Sequence, residues 1–356
     1  MITRDVRQAI ARAVAAAGFG CADPGLRPAG GPGRYASSVA LGLGTSERGK
    51  SPREIAGRLA AELAREPWIA AAEATGPGYL TVAVTRQTLT ALPGRIAEAG
   101  PACATSDALR GTTLQAPPAV DLFAVATWEE AWRALAAELT ARLASAAGAT
   151  VAVPCHPERT VPAPQARLSA PGGEARVRSD EEGAKPPAKG RRPATEVAAA
   201  VAYAGLDEVR FSLAGSVPGH PVRIEEAKIA RHVPENPAYA VRYAHARAAS
   251  GVRWAAALGA EAGPPRPPAD PGELVLLDGL SWLPERVAVA ARRGRPDEFA
   301  RYLEELASAT IATLSSASHP GSARAPGTDR LALARAARAG LAAGLGLLGV
   351  DAPDRM

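Results

Sequence analysis

The chain has 356 residues, 47% hydrophobic but only 4% aromatic, and a formal charge of +5 at pH 7. That length points to two or three domains with cores resting on Ala, Leu and Val. Cys21, Cys103 and Cys155 are odd in number, far apart and without a Cys-x-x-Cys pair, which excludes a disulfide framework and a zinc site as readings. No metal and no cofactor are expected. The charge permits nucleic-acid binding without requiring it, since an arginine-rich soluble surface gives the same balance. The N-terminal stretch reads as an amphipathic helix, not a signal core. No apolar run reads as a membrane span, so the cytoplasm is the expected location.

Residues 1–88 read as a small α/β domain. Val6, Ile10 and Val14 recur at helical spacing. Ser51-Pro52-Arg53-Glu54 is a capping box with proline at the first helical position. Ile55, Leu59 and Leu63 mark one buried face. Gly76-Pro77-Gly78 predicts a turn, and the alternation over residues 79–84 predicts a strand.

Residues 105–155 predict strand, helix, strand. Thr112–Gln115 and Thr150–Val153 are the strands. Thr127 caps a helix whose Trp128, Trp132, Leu135, Leu139 and Leu143 share one face, and Gly148 ends it. One such βαβ unit opens a parallel sheet but cannot bury both of its faces. Residues 156–194, rich in Pro, Gly, Lys and Arg, read as a linker. Residues 195–356 read as an all-helical bundle: one helix from Asn236-Pro237 to about Ala257, then helices carrying Leu274, Leu277 and Leu280, then Phe299, Tyr302, Leu303, Leu306 and Thr310, then Leu341, Leu345 and Leu348. The fold class is therefore multidomain α+β.

On the helix from Asn236, successive residues turn about 100°. Arg253 falls close to Arg242, and Tyr239, Tyr243 and His245 fall on adjoining sectors. Cations neutralise phosphate and rings stack unpaired bases, so this face is a candidate RNA platform. The structural alternative packs a tyrosine inward with its hydroxyl satisfied. His245 itself reads as buried and hydrogen-bonded. Arg292-Arg293-Gly294-Arg295 reads as a loop contact or as cations favoured at a helix C-terminus. Pro171-Gly172-Gly173-Glu174 is no phosphate loop, because no Gly-Lys-Ser/Thr follows. Glu225-Glu226 and Glu304-Glu305 read as solvated positions, and no paired carboxylates suggest a catalytic site.

Four separated stretches resemble arginyl-tRNA synthetases. Glu235-Asn236-Pro237-Ala238-Tyr239-Ala240-Val241-Arg242-Tyr243-Ala244-His245-Ala246-Arg247 is similar to the helix that opens that family's DALR anticodon-binding domain. Gly205-Leu206-Asp207-Glu208-Val209-Arg210-Phe211 looks like the entry into it, and the stretch from Gly346 to Arg355-Met356 looks like its tail. Gly33-Arg34-Tyr35-Ala36-Ser37-Ser38-Val39-Ala40-Leu41 is similar to Gly-Asp-Tyr-Ala-Thr-Asn-Val-Ala-Leu in the family's additional N-terminal domain, with Arg34 and Ser38 departing from the usual Asp and Asn. The resemblance covers residues 1–85 and 205–356.

The resemblance implies a tRNA partner, most simply arginine tRNA. It places Tyr239, Arg242, Tyr243 and Met356 near the anticodon, where Arg355 would balance the carboxylate of Met356 beside phosphate and Arg253 joins by its place on the helix. Arg34 and Tyr35 would meet the tRNA elbow, although Tyr35 could equally pack under its loop. It also implies a class I catalytic domain with a His-x-Gly-His signature and a Lys-Met-Ser-Lys loop, which stabilise charge on phosphate oxygens. Residues 124–127 hold no histidine, and the register for the second signature, near Lys189, holds one lysine. On these grounds the middle reads as a reduced βαβ remnant, and the chain as a tRNA-binding non-enzyme. The alternatives are an arginine–tRNA ligase and a protein-interaction module reusing the bundle.

Overall fold

In this computed structural model, residues 1–20, 22–46, 51–152, 195–262, 267–268, 270–315 and 328–356 are described. The expected linker 156–194, with Lys189, Arg191 and Arg192, lies outside them.

The N-terminal unit begins with α1 (Ile2–Ala16), which buries Val6, Ile10 and Val14 as their spacing predicts. β1 (Leu26–Pro28) and β2 (Arg34–Ser37) lead into α2 (Val39–Ser46) and α3 (Pro52–Leu63). Ser51 and Glu54 close the predicted capping box at the start of α3. β3 (Ile69–Thr75) and β4 (Tyr79–Val84) form a hairpin around Gly76-Pro77-Gly78. The sheet is antiparallel in the order β1-β2-β4-β3. Only β4 alternates clearly enough to be foreseen. α4 (Arg86–Ala99) and a 3-10 turn at Gly100–Ala104 complete the unit.

β5 (Thr113–Gln115), α5 (Trp128–Ala146) and β6 (Thr150–Ala152) form the expected βαβ unit, with its two strands parallel. The strands are largely exposed, so the unit is stabilised through α5. Leu135, Leu139 and Leu143 are buried, and the half-buried Trp132 donates its indole N–H to the Ser216 carbonyl at 3.2 Å. Gly148 does end the helix: its φ of +93° and the backbone of Ser106, 2.9 Å from where a Cβ would sit, both require glycine.

The rest is helical: α6 (Glu196–Ala204), α7 (Leu206–Ala214), α8 (Glu226–Ile229), α9 (Pro237–Ala257), α10 (Pro271–Arg293), α11 (Pro296–Ser315) and α12 (Thr328–Leu348). Between them, Glu138 of α5 accepts from Arg142 at 2.9 Å and from Arg210 of α7 at 2.7 Å. α12 corrects one expectation. Arg330–Leu348 is long and apolar enough to cross a membrane, yet 61% of that stretch is buried, as in the core helix of a bundle. Gly340 permits the close approach: a Cβ there would lie 2.6 Å from Leu280 of α10.

The N-terminal unit and the bundle share one hydrophobic core. Their joint is polar at its centre. Arg7 of α1 reaches Glu285 of α10 through hydrogen bonds of 2.6, 2.7 and 3.2 Å, and Asp23 at 2.5 Å. Thr3 donates to the Ser281 carbonyl at 2.7 Å, and the Gly33 N–H donates to Asp278 at 3.1 Å.

Candidate nucleic-acid interface

The turn before α9 is set by Asn236. This residue sits at the N-cap yet makes no side-chain cap bond. Its amide instead donates to the carbonyls of Ile229 at 2.6 Å and Arg231 at 2.9 Å, folding the turn back on itself. His232 is thereby held against the first turn of α9. Its ring lies 5.5 Å from the Tyr239 ring at 12° from parallel, and Tyr239 lies 5.7 Å from Tyr243 at 14°. Three near-parallel rings thus run up one edge of the helix. Tyr239 is half-buried and Tyr243 is 41% exposed, so the outer end of the ladder is open for a further flat ring to stack.

The same edge continues. At about 100° per residue, Arg247 and Trp254 fall within roughly 80° of Tyr239. Arg247 is exposed, and Trp254 is exposed at 70%. Sequence reasoning did not single out His232, Arg247 or Trp254. The 239-243-247 spacing and the return of Trp254 four turns on could have found the last two. His232 lies outside the helix and left no periodic signal.

The expected place of Arg242 on the RNA face is corrected. Arg242 is bound to Glu208 and lies 3.4 Å from Asp207, both on α7, with only 17% of its side chain exposed. It locks α7 to α9. Arg253 donates to the Asp354 carbonyl at 2.5 Å and secures the final residues. Arg338 adds bonds of 2.9 and 3.1 Å to the Asp354 carboxylate.

His245 is buried, as expected, and its Nδ1 pairs with the Pro353 carbonyl at 3.0 Å. It lies two residues, about 200° round the helix, from Tyr243. Beyond the anchor, Arg355 and Met356 are exposed.

Tyr35 is also corrected. It is fully buried, its hydroxyl is 3.1 Å from the Ser281 hydroxyl, and its ring is 5.2 Å from that of Trp282. It joins the N-terminal unit to α10 and cannot reach an RNA. Its neighbour Arg34 points the other way along the strand and is exposed. Of the candidate residues, Arg34, Tyr239, Tyr243, Arg253, Arg355 and Met356 keep accessible surface that RNA could meet.

Burial pushes the His245 imidazole below its ordinary value of 6.5, and the bond to Pro353 only partly opposes this. Unfolded chain therefore takes up a proton more readily than folded chain, so acidification from pH 7.5 through 6.5 should lower stability. Thermal melts at pH 7.5 and 5.5 check this. His245→Gln should flatten the difference, and an unchanged pH dependence in that variant would remove His245 as its source.

Comparison with known proteins follows the same division. Residues 2–84 match the arginyl tRNA synthetase N terminal domain, and residues 241–356 match the DALR anticodon binding domain. The chain is 39% identical over 160 residues to an arginine–tRNA ligase of Frankia alni, covering 43% of this chain and 29% of that relative. A Kineococcus radiotolerans arginine–tRNA ligase is 38% identical over 159 residues, with the same shares. The matches thus span under a third of those relatives' length. In fold the chain is similar to Thermus thermophilus arginyl-tRNA synthetase, with a TM-score of 0.63 and 17% identity over 100% of both chains.

At these two domains the chain is similar to arginyl-tRNA synthetases, and it spans under a third of the length of the ligases it matches. The reading of the chain as a non-enzyme does not stand. Its relatives are named as ligases and its fold is similar to that of a synthetase, so the findings point to a ligase family and give no positive sign of a non-enzyme.

Proposed function

We propose that this protein binds tRNA, arginine tRNA in the simplest case, and does so in the cytoplasm. The observation that carries the reading is the His232–Tyr239–Tyr243 ladder, open at Tyr243 and lying in and just before the matched DALR domain. Splayed anticodon bases offer the flat faces that such a ladder accepts. Arg247 alongside supplies charge for phosphate. The N-terminal unit presents Arg34 as a second contact. Two weak sites on one RNA raise affinity through effective concentration.

Filter binding with total tRNA at two salt concentrations tests the proposal. Binding should weaken as salt rises, because cations meeting phosphate release counterions. Absent binding, or a stoichiometric protein partner held without RNA, would overturn it. A second reading, ligation of arginine to tRNA, is favoured by the names of the relatives. Arginine-dependent ATP–pyrophosphate exchange tests that reading directly, and turnover would support it.

A further inference from the structure

Where β1 lies beside α10, a cleft of about 290 Å³ opens between the N-terminal unit and the bundle. Arg27 of β1 and Arg286, Arg292 and Arg293 of α10 line it, together with Glu285 and Glu298. The carboxylates are already engaged. Glu285 gives both oxygens to Arg7, and Glu298 takes Arg293 at 3.0 Å. Asp23 at the rim is shared between Arg7 and Arg292, the latter at 3.1 Å.

Arg27 and Arg286 are exposed and have no carboxylate at ion-pair distance among the described residues. The Arg286 guanidinium lies 5.8 Å from the centre of the Tyr302 ring, which positions it without neutralising it. Arg292 and Arg293 sit in the last turn of α10, where the helix dipole favours cations and explains them without a ligand. That account does not extend to Arg286, two turns back, or to Arg27, on a different element.

We propose that this cleft binds a phosphate group, with Arg27 and Arg286 supplying the guanidinium forks, and that the phosphate is a backbone phosphodiester of RNA held across both units. The choice of RNA rests on the tRNA-binding reading above; the phosphate chemistry does not. Guanidinium groups match phosphate through paired N–H donors. A phosphodiester held from both sides would make the inter-unit joint part of the RNA site.

The test uses the full chain and the double variant Arg27→Ala, Arg286→Ala. Both positions are exposed, and melting in phosphate-free buffer checks that the fold is kept. tRNA affinity is measured across a salt series. The variant should bind several-fold more weakly at low salt, with a slope of log K against log salt smaller by about 1. In parallel, melting of both proteins is followed with inorganic phosphate against chloride at matched ionic strength.

A phosphate-dependent rise in melting temperature in the parent alone supports the cleft as a phosphate site. If that rise comes with unchanged tRNA binding, the ligand is free phosphate and not RNA. If the parent binds no tRNA, the tRNA reading fails, and the phosphate arm alone decides the cleft. Substitutions that leave both tRNA binding and phosphate stabilisation unmoved would overturn the proposal.

Discussion

Glu285→Ala is expected to destabilise the folded chain by about 3–5 kcal/mol, the usual cost of removing one partner from a buried ion pair. Only 8% of the Arg7 side chain and 5% of that of Glu285 are exposed. Without Glu285, the Arg7 guanidinium keeps Asp23 but loses three hydrogen bonds, and remains out of water with a charge it cannot shed. The joint is also where Thr3, Gly33 and Tyr35 meet Ser281 and Asp278, so the N-terminal unit should loosen as a whole. Urea melts followed by circular dichroism measure the loss. Replacing both partners, Arg7→Met with Glu285→Leu, should recover most of it, because apolar packing substitutes well for a buried pair. A Glu285→Ala midpoint equal to that of the parent would show that the pair does not hold the joint.

Tyr243→Ala should weaken tRNA binding by about 5- to 150-fold, from the roughly 1–3 kcal/mol that one stacked base contributes. Tyr239→Ala should act in the same direction and also lower the melting temperature, because its half-buried ring supports the ladder from within. Tyr243→Phe should retain most of the affinity, since stacking needs the ring and not the hydroxyl. The salt slope should stay that of the parent in all three variants, because stacking displaces no counterions. This separates the ladder from the arginine-lined cleft, whose loss changes the slope. Unchanged affinity in Tyr243→Ala would remove the ladder as the site.

Much of the fold was legible where one physical signal dominated. The box at Ser51–Glu54, the apolar stripes of α1, α3 and α5, and the Asn236-Pro237 start of α9 each come from short-range chemistry that tertiary packing did not override. β1, β2 and β3 were not legible. β1 contains proline, β2 is four residues long, and β3 is an alanine-rich run without alternation, so their pairing depends on partners remote in sequence.

The site was legible in part for the same reason. Tyr239 and Tyr243 share a helix edge that angular bookkeeping can find. The wheel could not show that Arg242 faces two carboxylates on α7, that Arg253 faces the tail, or that α10 covers Tyr35. Each of those outcomes is set by a residue tens to hundreds of positions away.

Thr3 and Arg7 meet Ser281 and Glu285 across 278 residues of chain. On the ribosome the first helix is made long before its seat exists. At roughly 5–20 residues per second, that wait lasts from about a quarter of a minute to nearly a minute. Throughout it, the nascent N-terminal unit must show water a face bearing Tyr35 and a guanidinium held by Asp23 alone, which the finished molecule hides. Chaperones that act on emerging chains would find this face early, and a release before α10 is synthesised would leave it open to the wrong neighbour.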